Sequence, residues 1–339
     1  MRRGMSSLES LSPSRGVELY LQHREPDLSE KSLQNHKYRL DTFVAFCAEQ
    51  GIDDLNDLSG RDIHRYRTWR REQDISTITL RSNLATLRVF FEFAAEIDAV
   101  REGLRERVTL PELDDGEEAR DEKLDTDRAE AIIDYLDRFH YASRDHVIVA
   151  ILWHTGIRLG SLRALDVGDF DREERCLDLR HRPEQGTRLK NGEPAERSIA
   201  VGEYYCQVLT DYLEHNREPT TDEFGRRPLI SSDRGRLSST AVRDAVYRRT
   251  RPCVIGDCPH DRDLDECDAT LSKFASECPS SRSPHGIRRG AITRHLRESV
   301  PEQVVSGRMN VSGDVLEKHY DRRTEREKMQ IRREHLPDR

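Results

Sequence analysis

The sequence predicts a mainly α-helical protein in two parts: a small all-helical N-terminal domain, and a larger, mostly helical domain containing a small antiparallel β-sheet. Three observations predict it. Apolar residues recur at three- and four-residue spacing through most of the chain. One stretch, Cys176 to Val201, changes to a short alternating pattern around an Asn-Gly turn signal. An acidic run with no core-forming residue, Asp114-Asp115-Gly116-Glu117-Glu118, separates the two parts. At 339 residues the chain also exceeds what one compact core usually absorbs.

Taken in order, residues 1–13 are polar and Ser-rich and read as a disordered N-terminus. Residues 14–110 form the helical domain. Val17, Leu19, Tyr20 and Leu21 lead to Leu33, Tyr38, Leu40, Phe43, Phe46 and Cys47, and Gly51 ends that run. A further helix surrounds Ile63 and Tyr66, and Thr77 to Phe93 is a long one with Leu80, Leu84, Leu87, Phe90, Phe91 and Phe93 on its apolar side. Leu110-Pro111 begins a break, and residues 111–122 read as a solvated acidic linker. The second domain spans 123–330, followed by a tail, 331–339. Thr126 or Asp127 is its first helix cap, ahead of Ile132, Ile133, Tyr135 and Leu136, and Asp145 to His154 reads as a buried helix. Cys176 to Leu179, Thr187 to Lys190 and Glu196 to Val201 supply the sheet, with Asn191-Gly192 as the turn between the last two. Helices resume at Tyr204 to Leu213, Ser239 to Arg249, Gly286 to Arg297 and from Val315 onward.

Hydrophobic and charged residues each make up 35% of the chain, which describes a thin core under a heavily charged surface. No apolar run approaches the roughly 20 residues that span a bilayer, and the polar start lacks a signal peptide's apolar stretch. The expectation is a cytoplasmic protein with no membrane contact. A net charge of −8 argues at first against a nucleic-acid partner. Yet the cations are overwhelmingly Arg, which pairs with phosphate in bidentate fashion, and the charge is uneven: acidic from Glu112 to Asp137, Arg-rich from Arg282 to Arg339. Many acidic residues with few Lys also resemble the surface of a protein from a salt-loving microbe.

Three short segments carry chemistry. Thr155-Gly156-Ile157-Arg158-Leu159-Gly160-Ser161-Leu162 reads as a glycine turn with a surface Arg, or as a guanidinium at a helix start, where free N–H groups favour an anion. Ser283-Pro284-His285-Gly286-Ile287-Arg288 opens a helix with His285 and Arg288 on one face, a costly pairing of positive groups unless an anion lies between them. Val315-Leu316-Glu317-Lys318-His319-Tyr320 places a Tyr at a polar helix end, followed by Arg322, Arg323 and Arg326 rather than apolar neighbours.

An Arg, then a hairpin Lys, then His-x-x-Arg, then a Tyr near the C-terminus, all after a helical domain, resembles the tyrosine recombinase (phage integrase) family, archaeal-type included, over roughly residues 14 to 330. The resemblance implies that the first domain is a SAM-like, core-binding DNA-binding domain and the second catalytic. It implies Tyr320 as nucleophile, Arg158, His285 and Arg288 as phosphate-handling residues, and Lys190 as the hairpin Lys, a residue that stands out where Lys is scarce. Tyr320 would attack a phosphodiester, His285 assist loss of its proton, the two Arg clamp the developing charge, and Lys190 protonate the departing 5′ hydroxyl. The 3′-phosphotyrosyl bond conserves energy for rejoining with no catalytic cofactor. The implied partner is double-stranded DNA, held in a C-shaped clamp by a homo-tetramer. Two features depart from the family pattern. Ser161 stands where an acidic residue is frequent, and the His or Trp expected about nine residues before the nucleophile is matched only by Gly307-Arg308, with His319 as a local alternative. Other readings are a catalytically inactive DNA-binding regulator of the same fold and a type IB-like topoisomerase. Arg71, Arg81 and Arg88 are candidate phosphate contacts of the first domain, or members of a solvated basic face.

Seven cysteines in a cytosolic chain suggest thiols or metal rather than disulfides. Cys47, Cys176 and Cys206 fall in periodic segments and read as core. Cys253, Cys258, Cys267 and Cys278 cluster with His260 in a polar insertion, residues 252–283, as candidate ligands of a structural zinc, or as a plain loop of reduced thiols.

Overall fold

The computed structural model describes residues 10–113 and 123–320, together with 326, 329 and 333. The chain divides into two compact units, Met1–Arg120 and Asp121–Arg339. The acidic run at 114–118 and the tail at 334–339 lie outside the described residues.

The first unit consists of α1 (Pro13–Arg24), α2 (Glu30–Gln50), α3 (Gly60–Arg71), α4 (Thr77–Glu96) and the short α5 (Leu104–Arg107). A serine stands at the start of each of the first four. Ser12, Ser29 and Ser76 accept from the backbone N–H three residues on, and Ser59 forms a reciprocal capping box with Asp62. Gly51 ends α2 at φ +66°, a left-handed conformation that glycine adopts without strain. The buried stripes meet in an aromatic core: Phe43 packs edge-on against Tyr66 at 5.4 Å and against Phe91 at 5.6 Å. Order begins earlier than the composition suggests. Leu11 donates to Asp54 and accepts from the Leu55 N–H, so residues 10–12 are tied to the domain, while 1–9 lie outside the described residues. Tyr38 is 69% exposed, because it falls off the Leu40–Phe43–Cys47 stripe.

The second unit is built around α7 (Arg144–Thr155), buried along nearly its whole length, with α6 (Thr126–Phe139) beside it. Asp125, one residue ahead of the expected cap, starts α6 by accepting from the Arg128 N–H at 2.9 Å. After α8 (Leu159–Ala164) comes a three-stranded antiparallel sheet of β1 (Phe170–Asp171), β2 (Cys176–Leu179) and β3 (Arg197–Ala200) in that order. The expected hairpin is corrected here. β3 pairs with β2, Leu177 opposite Ile199, whereas Thr187 to Lys190 forms no strand beyond a single bridge from Thr187 to Arg182. Gly192 adopts φ +68° and starts a 3₁₀ turn rather than a two-residue hairpin turn. Then follow α9 (Glu203–Asp211), which runs into a π-helical turn, the β4 (Ser231–Ser232) and β5 (Gly235–Arg236) ribbon, α10 (Ser239–Arg249), α11 (Pro284–Arg297), α12 (Glu302–Met309) and α13 (Gly313–His319). Residues 252–283, between α10 and α11, contain only 3₁₀ turns. Cys47 is buried, whereas Cys176 and Cys206 are half-buried at the sheet and α9 rather than core. No helix among the described residues is long and apolar enough to cross a membrane.

Candidate active site

Arg158 owes its position to a glycine. α7 ends at Gly156 (φ +61°), a left-handed conformation that favours glycine, and an added Cβ would also meet the Met309 side chain, its sulfur at 2.7 Å. The chain then runs extended through buried Ile157 to Arg158, which caps α8, its carbonyl accepting from the Ser161 N–H at 2.9 Å. Ser161 is itself buried.

Arg288 meets Arg158 from α11. Ser283 caps that helix and Pro284 is its first residue, which sets His285 and Arg288 near its start. Arg288 is 3% exposed, donates to the Gly156 carbonyl at 2.6 Å and reaches the Asn310 carbonyl at 3.5 Å. Burial first, and then the neighbouring Arg158, push its guanidinium down to about 10, with the Tyr320 phenol acting in the opposite direction. Burial likewise lowers Arg158, again offset by Tyr320. The two guanidiniums and the phenol, distant in sequence, therefore lie within electrostatic reach of one another. Two desolvated cations side by side repel until an anion joins them, which is the state a phosphate site waits in.

Tyr320 follows α13, half-buried against the core of its unit, its N–H bonded to the Leu316 carbonyl at 2.9 Å. His285 sits exposed at the rim. Partial desolvation, then the charges of Arg289, Arg288, Arg158 and Lys190, hold its imidazole below the ordinary value, so it is neutral at pH 7. Lys190 is exposed, and its charge reaches His285. The loop bearing it is pinned twice. Arg197 Nε donates to the Arg308 carbonyl at 2.8 Å, and Asn191 Nδ2 donates to Asn310 Oδ1 at 3.4 Å.

Arg197 is a site residue that sequence reasoning missed. Burial first, and then the charges of Arg158 and Arg308, push it down to about 10. In a chain so rich in Arg, nothing local marks it out.

Arg308 is placed differently from the expectation. It donates to the Ala200 carbonyl at 2.8 Å and reaches the His154 carbonyl at 3.3 Å, so its side chain ties α12 to β3 and α7. The charges it acts on are those of Arg197, His154 and His295. A phosphate-donor role would require it to leave these bonds. The side chain of His319 lies outside the described residues. In the first unit Arg81 donates to the Pro111 carbonyl at 2.6 Å, a framework bond, Arg71 lines an open cleft with Arg67, and Arg88 is half-buried.

Residues 17–96 match the phage integrase N-terminal SAM-like domain, and residues 122–254 match the phage integrase family. The second match ends where the Cys-rich insertion begins. A tyrosine recombinase XerC of Listeria innocua is 24% identical over 208 residues, covering 59% of this chain and 63% of the relative. A XerC of Shewanella amazonensis is 26% identical over 244 residues, 70% of this chain and 74% of the relative. The chain thus spans just under two thirds of the first of these relatives. Among solved structures, the Tn1549 transposon integrase in complex with transposon right end DNA superposes with a TM-score of 0.66 at 15% identity, covering 96% of this chain and 100% of that one, a likeness of fold.

Proposed function

The chain is a member of the phage integrase family, the tyrosine recombinases, and from that premise we propose that it is a site-specific recombinase that cuts and rejoins DNA through Tyr320. The observation that carries the reading is the meeting of Arg158 and Arg288 beside the Tyr320 phenol, with His285 and Lys190 at the rim. A phosphodiester seated on the two guanidiniums relieves their mutual repulsion and neutralises the charge that grows on its non-bridging oxygens. The Tyr320 oxygen attacks phosphorus. The phenol gives up its proton as the bond to phosphorus forms. Neutral His285 is suited to take that proton. The P–O5′ bond breaks, and Lys190 delivers a proton to the departing 5′ oxygen. The enzyme retains a 3′-phosphotyrosyl ester, and attack by a 5′ hydroxyl reverses the step.

Arg197 holds the Lys190 loop on the end of α12, so the general acid moves together with the helices leading to Tyr320. Main-chain carbonyls of Gly156 and Asn310, rather than a carboxylate at position 161, orient Arg288. The partner is double-stranded DNA, a reading supported by the DNA bound in the Tn1549 neighbour, with assembly as a homo-tetramer on two sites.

The test is covalent trapping on a nicked duplex carrying the end sequences of the cognate element. Wild-type protein forms a DNA adduct stable to denaturant, and Tyr320→Phe forms none. An undiminished adduct with Tyr320→Phe overturns the assignment. Binding of the duplex without any adduct from wild-type protein overturns catalysis in favour of a DNA-binding regulator.

A further inference from the structure

The insertion at 252–283 poses a physical problem of its own. It runs for some thirty residues with three 3₁₀ turns and no strand, and buries only Ala269, Ala275 and Cys278 as apolar side chains. Loops of that length without regular structure are uncommon in compact domains unless something braces them. Its stem is braced. The Thr250 hydroxyl accepts from the Arg282 N–H at 2.8 Å and donates to the Arg282 carbonyl at 3.0 Å, while Arg128 donates to the carbonyls of Ser280, at 2.7 Å, and Thr250. Inside the loop no apolar cluster does the same work.

What lies there instead is a small cavity walled by Cys253, Cys258, His260, Cys267 and Cys278. The Nε2 atom of His260 is buried with no hydrogen-bond partner. An orphaned imidazole nitrogen in a nook of thiols costs free energy as protein alone, and it is the donor set of a structural zinc site. All seven cysteines are free thiols, so none of these sulfurs is spent in a disulfide.

We propose that this insertion binds one zinc ion through Cys253, Cys258, Cys278 and His260 Nε2, with Cys267 at the cavity wall. Cys253 lies on the first 3₁₀ turn, Cys258 and His260 in the loop beyond it, and Cys278 immediately after the last turn, so the ion joins the two ends of the insertion. Among the described residues the only three donors within 4.8 Å of one another are Asp211, Glu214 and His215, and Asp211 and Glu214 are already bonded to Tyr141 and Arg172. The insertion's donors stand wider apart. Binding therefore draws the loop inward, and coordination and ordering are one event. Because Ser283, the last residue of the insertion, caps α11, an ordered insertion holds the segment leading to His285 and Arg288.

The test does not depend on DNA cleavage. Full-length protein purified without chelator carries zinc at one equivalent per chain by elemental analysis. Replacement with cobalt(II) gives the intense thiolate-to-metal and visible bands of a tetrahedral site. Cys253→Ser and His260→Gln lose the metal, and Cys267→Ser keeps it. Chelation raises amide exchange across 252–283 and leaves residues 13–107 unchanged. Should Cys253→Ser fail to fold, the His260→Gln variant and the cobalt spectrum of wild-type protein decide the matter. Absence of zinc together with absence of cobalt–thiolate bands overturns the proposal, and loss of metal in Cys267→Ser with retention in His260→Gln overturns the ligand set.

Discussion

Gly290→Ala tests how α11 aims the site. Gly290 lies five residues beyond His285, where α11 presses on the chain leading into α6. A Cβ built at this position would stand 2.7 Å from the Trp153 ring and 3.1 Å from the Leu124 carbonyl carbon, with the carbonyl oxygen nearer still. Ordinary contact begins at 3.4 Å, so clearing the ring alone needs about 0.7 Å and clearing the oxygen more. Trp153 is fully buried and the Leu124 N–H is bonded to the Gly286 carbonyl at 3.1 Å, so neither yields without loss. The helix must shift by about 1 Å, carrying Arg288 off the Gly156 carbonyl. Overpacking of this kind costs about 1–3 kcal/mol, and a misplacement of that size lowers a positioned reaction by roughly 100-fold. The assay is the rate of covalent adduct formation on a nicked duplex, alongside thermal unfolding and DNA affinity. The expected result is a loss of about two orders of magnitude in rate, a lowered Tm, and DNA affinity within a few-fold of wild type. A variant cleaving at the wild-type rate with unchanged Tm would show that the close approach does not position Arg288.

Two further predictions concern stability. Arg236, at 8% side-chain exposure, donates to Asp222 at 2.8 Å and to Asp166, and also to the carbonyls of Arg163 and Leu165. Arg236→Met strands two buried carboxylates, and because Arg226 and Arg182 still reach them the expected cost is about 3 kcal/mol, the low end for a broken buried pair. It is read as a lowered urea midpoint, and a loss under about 1 kcal/mol would refute the network's importance. Acid stability follows from two neutral imidazoles. His146 Nδ1 accepts from the Ala142 N–H and His154 Nε2 accepts from the Gly202 N–H, and burial first lowers them to about 4 and about 3. Their folded values lie below the unfolded 6.5, so the unfolded chain binds more protons as pH falls past that point. Stability is full above about pH 6.5 and drops by up to ~1.4 kcal/mol per pH unit for each group, His146 levelling off near its folded value. Denaturant titrations from pH 7 to 4 would show it, and a double Gln variant whose stability has the same slope would exclude these two groups.

Much of this protein was legible locally. Helix periodicity is a short-range signal, and it places α1 to α4 and the buried α7 because backbone hydrogen bonds close within four residues. The proposed reactive set could be named from the sequence because its residue types suit phosphate chemistry and its spacing resembles a known family. Other features could be decided only by the folded chain. Asn191-Gly192 signals a turn, but which strand β3 joins depends on the register of Leu177 with Ile199, and the partner comes from across the loop. Arg197, Arg308 and Arg81 are the same residue type in an Arg-rich sequence and all hold main-chain carbonyls, yet Arg197 feels the charge of Arg158, while Arg308 ties α12 to β3 and α7 and Arg81 braces Pro111. A guanidinium's role is set by which oxygens and charges the tertiary structure brings within a few ångströms of it, and sequence spacing carries no record of neighbours more than a hundred residues away.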